Sequence, residues 1–194
     1  IWEQLFGVGI AETLEDLGSQ GIAPTHPELL DWLSFHFMED DQWSIKKLIR
    51  KIVMSGVYQQ DSKVSEEMLE KDPNNIYYAR FPRIRLSAEQ IRDQALSISG
   101  LMRDKMYGPS VFPYQPKGLW LSPYNGADWE QSSGEDQYRR AVYTFWKRSA
   151  PYPSMIAFDG VARDLCTARR IRTNTPLQAL ATLNDSAFVE MARN

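Results

Sequence analysis

The sequence has one cysteine, Cys166, and two histidines, His26 and His36. A disulfide framework, a zinc finger and a c-type haem attachment each need at least two cysteines, so none can form within this chain. Two histidines rule out a three-histidine metal site and leave little for a histidine-based catalytic triad. No run of roughly 18 apolar residues is present, so no membrane span is expected. Charge of one sign is also lacking: net charge is −3 over 194 residues, which gives no global field for nucleic acid. There is no N-terminal Met and no leader; the chain opens on the amphipathic Ile1-Trp2-Glu3-Gln4-Leu5-Phe6. It reads as a fragment of a larger protein, so the missing leader carries no information.

With 43% hydrophobic and 24% charged residues, the composition is that of an ordinary globular protein. Helical signals dominate. Residues 2–6 read as the end of a helix, and 11–17 as a short one between Gly9 and Gly18. Thr25-His26-Pro27-Glu28 has the form of a capping box opening a helix to about Met38, with Leu29, Leu30, Leu33 and Phe37 inward. Ser44 caps the next helix, where Ile45, Leu48, Ile49, Ile52 and Val53 repeat at the spacing of a buried stripe; Gly56 ends it. A short helix is expected near 65–70. Ser87-Ala88-Glu89-Gln90 caps a helix to about Met102, with Ile91, Ala95, Ile98 and Met102 inward.

Residues 103–135 interleave Pro and Gly with Tyr107, Phe112, Tyr114, Trp120, Tyr124 and Trp129. Prolines and glycines deny long helices, while the aromatics argue against disorder. Residues 136–148 favour a helix, with a strand as the alternative, and Pro151 and Pro153 break it. The last helix runs from Pro176 to about Arg193 on the face Leu177, Leu180, Ala181, Asn184, Phe188 and Met191. The expected fold is mainly α: an irregular multi-helix single domain over 1–194. Its excursion at 103–135 is ordered and rich in aromatics, Pro and Gly. Helices near 26–38, 45–55, 88–102 and 177–192 should form the core.

The segment Arg169-Arg170-Ile171-Arg172-Thr173-Asn174-Thr175-Pro176-Leu177-Gln178 sets three arginines before a helix start. Thr175 is placed to cap it, Pro176 to occupy the first helical position and Gln178 to reach back. Arg169, Arg170, Arg172 and Asn174 could hold a sulfate, carboxylate or uronic acid. Alternatively, the arginines pair with Asp159, Asp164 or Asp185 and brace the turn. Trp120, Tyr124 and Trp129 could stack sugar rings, or anchor the excursion to the helices. His26, at a helix start where protonation is disfavoured, is either a base or ligand or a loop brace. His36, mid-helix, reads as structural. The acidic runs Glu39-Asp40-Asp41, Asp128 with Glu130, and Glu135-Asp136 read as solvated ends, and Cys166 as a small buried residue. No catalytic residue is assignable, and the residues call for no metal or cofactor in this chain.

Three stretches together carry a resemblance: Asp16-Leu17-Gly18-Ser19-Gln20-Gly21 through Leu33, Leu86 through Asp93, and Arg169 through Asp185. Gly108-Pro109-Ser110-Val111 and Tyr143 through Arg148 fit it too. The chain resembles the planctomycete surface domain family, a domain of unknown function. The resemblance implies an exported setting near the C-terminus of a large multidomain protein. Upstream domains would be the partners, a cytochrome c-like module among them. It implies a setting more than an activity; within that setting the first expectation is an accessory domain binding a polyanionic glycan or a partner module at the arginine-rich turn. The alternatives are a polysaccharide-directed enzyme that shares its site with an upstream domain, and a docking domain for the cytochrome c-like module.

Overall fold

In a computed structural model, residues 1–119 and 128–194 are described. The fold is mainly α, with no strand among the described residues. The helices are α1 (Trp2–Phe6), α2 (Pro27–Glu39), α3 (Ile45–Val53), α4 (Glu66–Lys71), α5 (Ala88–Ile98), α6 (Pro153–Ala157), α7 (Pro176–Asn184) and α8 (Ser186–Arg193). Contacts divide the chain into two compact units, Ile1–Ile84 and Arg85–Asn194. No helix among the described residues is long and apolar enough to cross a membrane.

The first unit builds its core on aromatic rings. Phe6 of α1 is buried, stacks on Trp2 at 4.3 Å and meets Tyr58, Tyr78 and Phe81. Ile10 and Ile52 are also buried in this unit. The expected helix at 11–17 does not form. Thr13 Oγ1 donates to Asp16 O and accepts from Ile22 N, while Asp16 Oδ1 accepts from Gly18 N. Those side chains offer the backbone a turn instead. His26, not Thr25, is the N-cap of α2 and makes no side-chain cap bond, and Thr25 N donates to Ile10 O, so the expected capping box is absent. Ser44 caps α3 as expected, its hydroxyl accepting from Lys47 N. The helix stops at Val53 with Met54 as C-cap, before Gly56. Ser65 caps α4 in the same way.

The second unit packs α5, α6, α7 and α8 around Ala88, Ala141, Tyr152, Met155 and Phe158, with Leu96, Ala187 and Met191 in a second cluster. The Ser87–Gln90 capping box is present. α5 ends at Ile98 rather than Met102, where Gly100 adopts φ +72°. Its inner row is Ala88, Arg92 and Leu96, and Ile98 is exposed. Ile91, Ala95 and Met102 pack against the core clusters as expected, and the buried Arg92 donates to Gln137 O at 2.8 Å. Residues 136–148 form neither an α-helix nor a strand but 3-10 turns at Gly134–Tyr138 and Ala141–Tyr143. Their backbone is taken by the excursion: Val111 N donates to Tyr143 O, Phe145 N to Val111 O and Arg103 N to Tyr138 O. Pro153 starts a helix, at the first position of α6, where its missing N–H is not needed. The expected single terminal helix is two, divided at Asp185. Its extended backbone ends α7, and its carboxylate caps α8 by accepting from Ala187 N.

Candidate functional site

The arginine turn is held by a carboxylate hub. Asp159, at φ +61°, accepts from Thr173 N at 2.7 Å, from Thr173 Oγ1 at 2.9 Å and from Gln178 Nε2 at 3.2 Å. Gln178 is 2% exposed, and its Oε1 accepts from Thr175 N, so the predicted reach-back exists. Burial pushes the Asp159 carboxyl up, but the bonds from Thr173 and Gln178 and the Arg85 charge hold it below its usual value.

Arg170 pairs with Glu89 at 2.6 Å, not with Asp159, Asp164 or Asp185. Glu89 feels burial first, which raises its pKa. The bonds and charge of Arg170, with Ser87 and its own backbone, outweigh this and leave the carboxyl below 4.5. Asn174 Oδ1 accepts from Arg85 Nη1 at 3.1 Å, and the same guanidinium binds Thr173 O at 2.7 Å. Arg169 is exposed and Arg172 half-buried. Of the four predicted ligand residues, Arg170 and Asn174 thus serve the frame. Their partners Glu89 and Arg85 lie more than 80 positions upstream, beyond what spacing can pair.

A second site lies in the excursion. A cavity of about 500 Å³ is lined by Tyr114, Gln115, Pro116, Lys117, Gly118, Asp128, Trp129 and Gln131. Trp129 is the one predicted stacking residue seen there; Trp120 and Tyr124 lie outside the described residues. Trp129 Nε1 donates to Pro113 O at 2.8 Å, and its ring stacks on Tyr152 at 5.8 Å and meets Phe112 edge-on. Anchoring and lining are therefore both roles of this side chain. Gln115 is 7% exposed, and its Oε1 is buried with no donor. A buried carbonyl left so costs about 1–3 kcal/mol. The sequence reading passed over Gln115; glutamine between Tyr114 and Pro116 gave no signal of burial.

Other candidates resolve individually. His26 Nδ1 lies 2.9 Å from Thr25 Oγ1, and its ring tilts on Tyr78. His36 contacts Trp32 O at 2.8 Å and Asp40 at 3.5 Å. Cys166 is exposed rather than buried, on a surface turn where residues 162–169 are all exposed. Asp41 is buried rather than solvated and pairs with Lys51 at 3.0 Å. Glu135 and Asp136 pair with Arg103 and Lys105, each at 3.0 Å. Arg139, which the sequence did not single out, is 1% exposed. Its guanidinium donates to the carbonyls of Lys105, Tyr107 and Pro109 and lies 3.9 Å over the Tyr143 ring. Among the described residues no group of three or more His, Cys, Asp or Glu side chains could hold a metal ion.

One family model, described as "PSD1: Protein of unknown function (DUF1553)", matches residues 1–194. No curated protein and no solved structure gives a match.

Proposed function

From the premise that the chain belongs to the PSD1 (DUF1553) family, whose function is unknown, we propose that it is a docking domain. It is an accessory module that binds another polypeptide. The observation that carries this is the uncovered helical surface of the first unit. α2 buries no residue, and Trp32, Phe35 and Met38 stand exposed on it. On α3 the periodic stripe calls for burial, yet Ile45 and Ile49 are exposed and only Ile52 is buried. Trp43, between the two helices, is 66% exposed at φ +61°, a costly conformation for a bulky side chain. Apolar surface presented in this way marks interaction sites.

The occupant is an amphipathic segment, carrying charges of both signs, of another domain in the same exported polypeptide, a cytochrome c-like module being one such neighbour. α3 carries Lys46, Lys47 and Arg50 and no acid, which favours acidic side chains where the partner meets that helix, while Glu28, Asp31 and Glu39 on α2 favour basic ones. The enzymatic alternative has less support. Among the described residues, neither His26 nor Cys166 is bonded to a carboxylate.

Hydrogen exchange tests the reading, comparing this chain with the longer polypeptide that contains it. Amides of α2 and α3 should exchange more slowly in the longer protein, and Phe35→Glu with Ile49→Glu should remove that protection. Equal exchange in both contexts, or a stable dimer of the chain through this face, would overturn it.

A further inference from the structure

Independently of docking through α2 and α3, we infer that two copies of the chain associate through α7, antiparallel about a two-fold axis beside Leu180. The helix is turned inside out. A surface helix ordinarily sets its apolar residues against the core. On α7 the inward side chains are Gln178, 2% exposed, and Ala181, packed on the core cluster. Leu177, Leu180 and Leu183 stand 65%, 54% and 71% exposed. Gln178 holds the inner place because its amide is used there: Nε2 donates to Asp159 and Thr173, and Oε1 accepts from Thr175 N. A single exposed leucine needs no explanation. Three at steps of three residues are neighbours on the helix surface and join into one patch.

The polar side chains of this helix make no demand on water as donors. Besides Gln178, α7 has only Thr182 and Asn184. The Thr182 hydroxyl donates to Ala179 O at 2.8 Å and the Asn184 amide donates to Leu180 O at 2.9 Å. Covering the patch therefore strands no side-chain donor, which removes the usual cost of burying a polar helix surface.

Charge identifies the occupant as a second copy. A two-fold contact is isologous, so groups near the axis meet their own twins, and any charge there meets its like. α7 carries no charged residue. α5 carries Glu89, Arg92 and Asp93, and α8 carries Glu190 and Arg193. Crossing antiparallel about Leu180 sets Leu177 of one copy by Leu183 of the other. It opposes the two helix dipoles and keeps the two arginine turns at opposite ends of the contact.

A helix of nine residues is about 13 Å long. The contact is thus at the small, transient end of interfaces, with association expected on the order of 100 µM. Sedimentation from about 5 to about 500 µM brackets that value. Mass should climb from monomer towards dimer and stop there, because a two-fold contact closes. Leu180→Glu sets two carboxylates across the axis and should keep the chain monomeric, with Tm unchanged. If that variant does not fold, Leu183→Gln decides, with association weakened at least tenfold. Phe35→Glu with Ile49→Glu should leave the dimer as it is. In a Cys166→Ser background, Leu180→Cys should cross-link two copies under mild oxidation faster than Val142→Cys, also exposed in this unit. A monomer at every concentration or growth beyond the dimer would overturn the proposal. So would a dimer that survives the folded α7 variant, one lost with the α2 and α3 pair, or cross-linking no faster at Leu180 than at Val142.

Discussion

Arg170 and Glu89 show how one ion pair couples the arginine turn to the start of α5. Glu89 has its folded pKa below 4.5. A carboxyl lowered in this way stabilises the fold at pH above its unfolded value. That contribution is lost as pH falls through the folded value. Asp159 acts with the same sign from 3.8. The second unit should therefore weaken from about pH 4.5 downward. Arg170→Met should cost about 1 kcal/mol at pH 7, as expected for a half-exposed pair, and much less at pH 3. Urea unfolding at the two pH values checks this; equal losses at both would mean that the arginine acts by packing. The buried arginines are a different case. Arg92 and Arg139 each have a buried Nε with no acceptor, and their guanidinium groups donate to backbone carbonyls. Such residues fix loops in place, and nothing in their sequence surroundings distinguishes them from surface arginines.

At the scale of elements, Asp185 decides whether the C-terminal segment is one helix or two. Its carboxylate accepts from Ala187 N at 2.8 Å and from Ser154 Oγ at 2.7 Å, so it caps α8 and ties it to α6. Asp185→Ala should cost about 1–2 kcal/mol and lower Tm, with helical circular dichroism held or increased as α7 and α8 merge. An unchanged Tm would mean that packing alone sets the break. Local chemistry was legible where it is self-contained: Ser44, Ser87 and the Thr175–Gln178 pair stand where the caps were read. It failed where distant backbone competes. Residues 136–148 read as a helix, with Val142-Tyr143-Thr144-Phe145-Trp146 leaving a strand open, but Val111 takes the backbone bonds of Tyr143 and Phe145. On α5, Ile91, Ala95 and Met102 pack on the core as read, but Ile98 is exposed and the buried Arg92 was not foreseen. At the candidate site Trp129 was foreseen by residue type, whereas Gln115 needed the folded excursion to be recognised.

The whole molecule divides its charge unevenly. Residues 1–84 carry fourteen Asp and Glu against eight Lys and Arg, while residues 85–194 carry eleven against fourteen. Each unit also shows apolar side chains to solvent: Trp32, Phe35, Ile45 and Ile49 in the first, and Leu177, Leu180 and Leu183 along α7 in the second. Two kinds of association between copies are then separable. Contacts between acidic and basic surfaces weaken as salt shortens the Debye length from about 30 Å at 0.01 M to about 8 Å at 0.15 M. Apolar contacts strengthen in sulfate, which is excluded from protein surface. If the docking proposal holds, the chain alone should bind a hydrophobic dye such as ANS while natively folded. Its light scattering should rise with ammonium sulfate rather than fall with sodium chloride. Phe35→Glu with Ile49→Glu should lower the dye signal without changing Tm, because both residues are exposed, while Leu177, Leu180 and Leu183 of α7 keep a remainder. A native chain silent to the dye, or one whose association disappears at 0.15 M salt, would place its interactions in the charge asymmetry and remove the support for docking through α2 and α3.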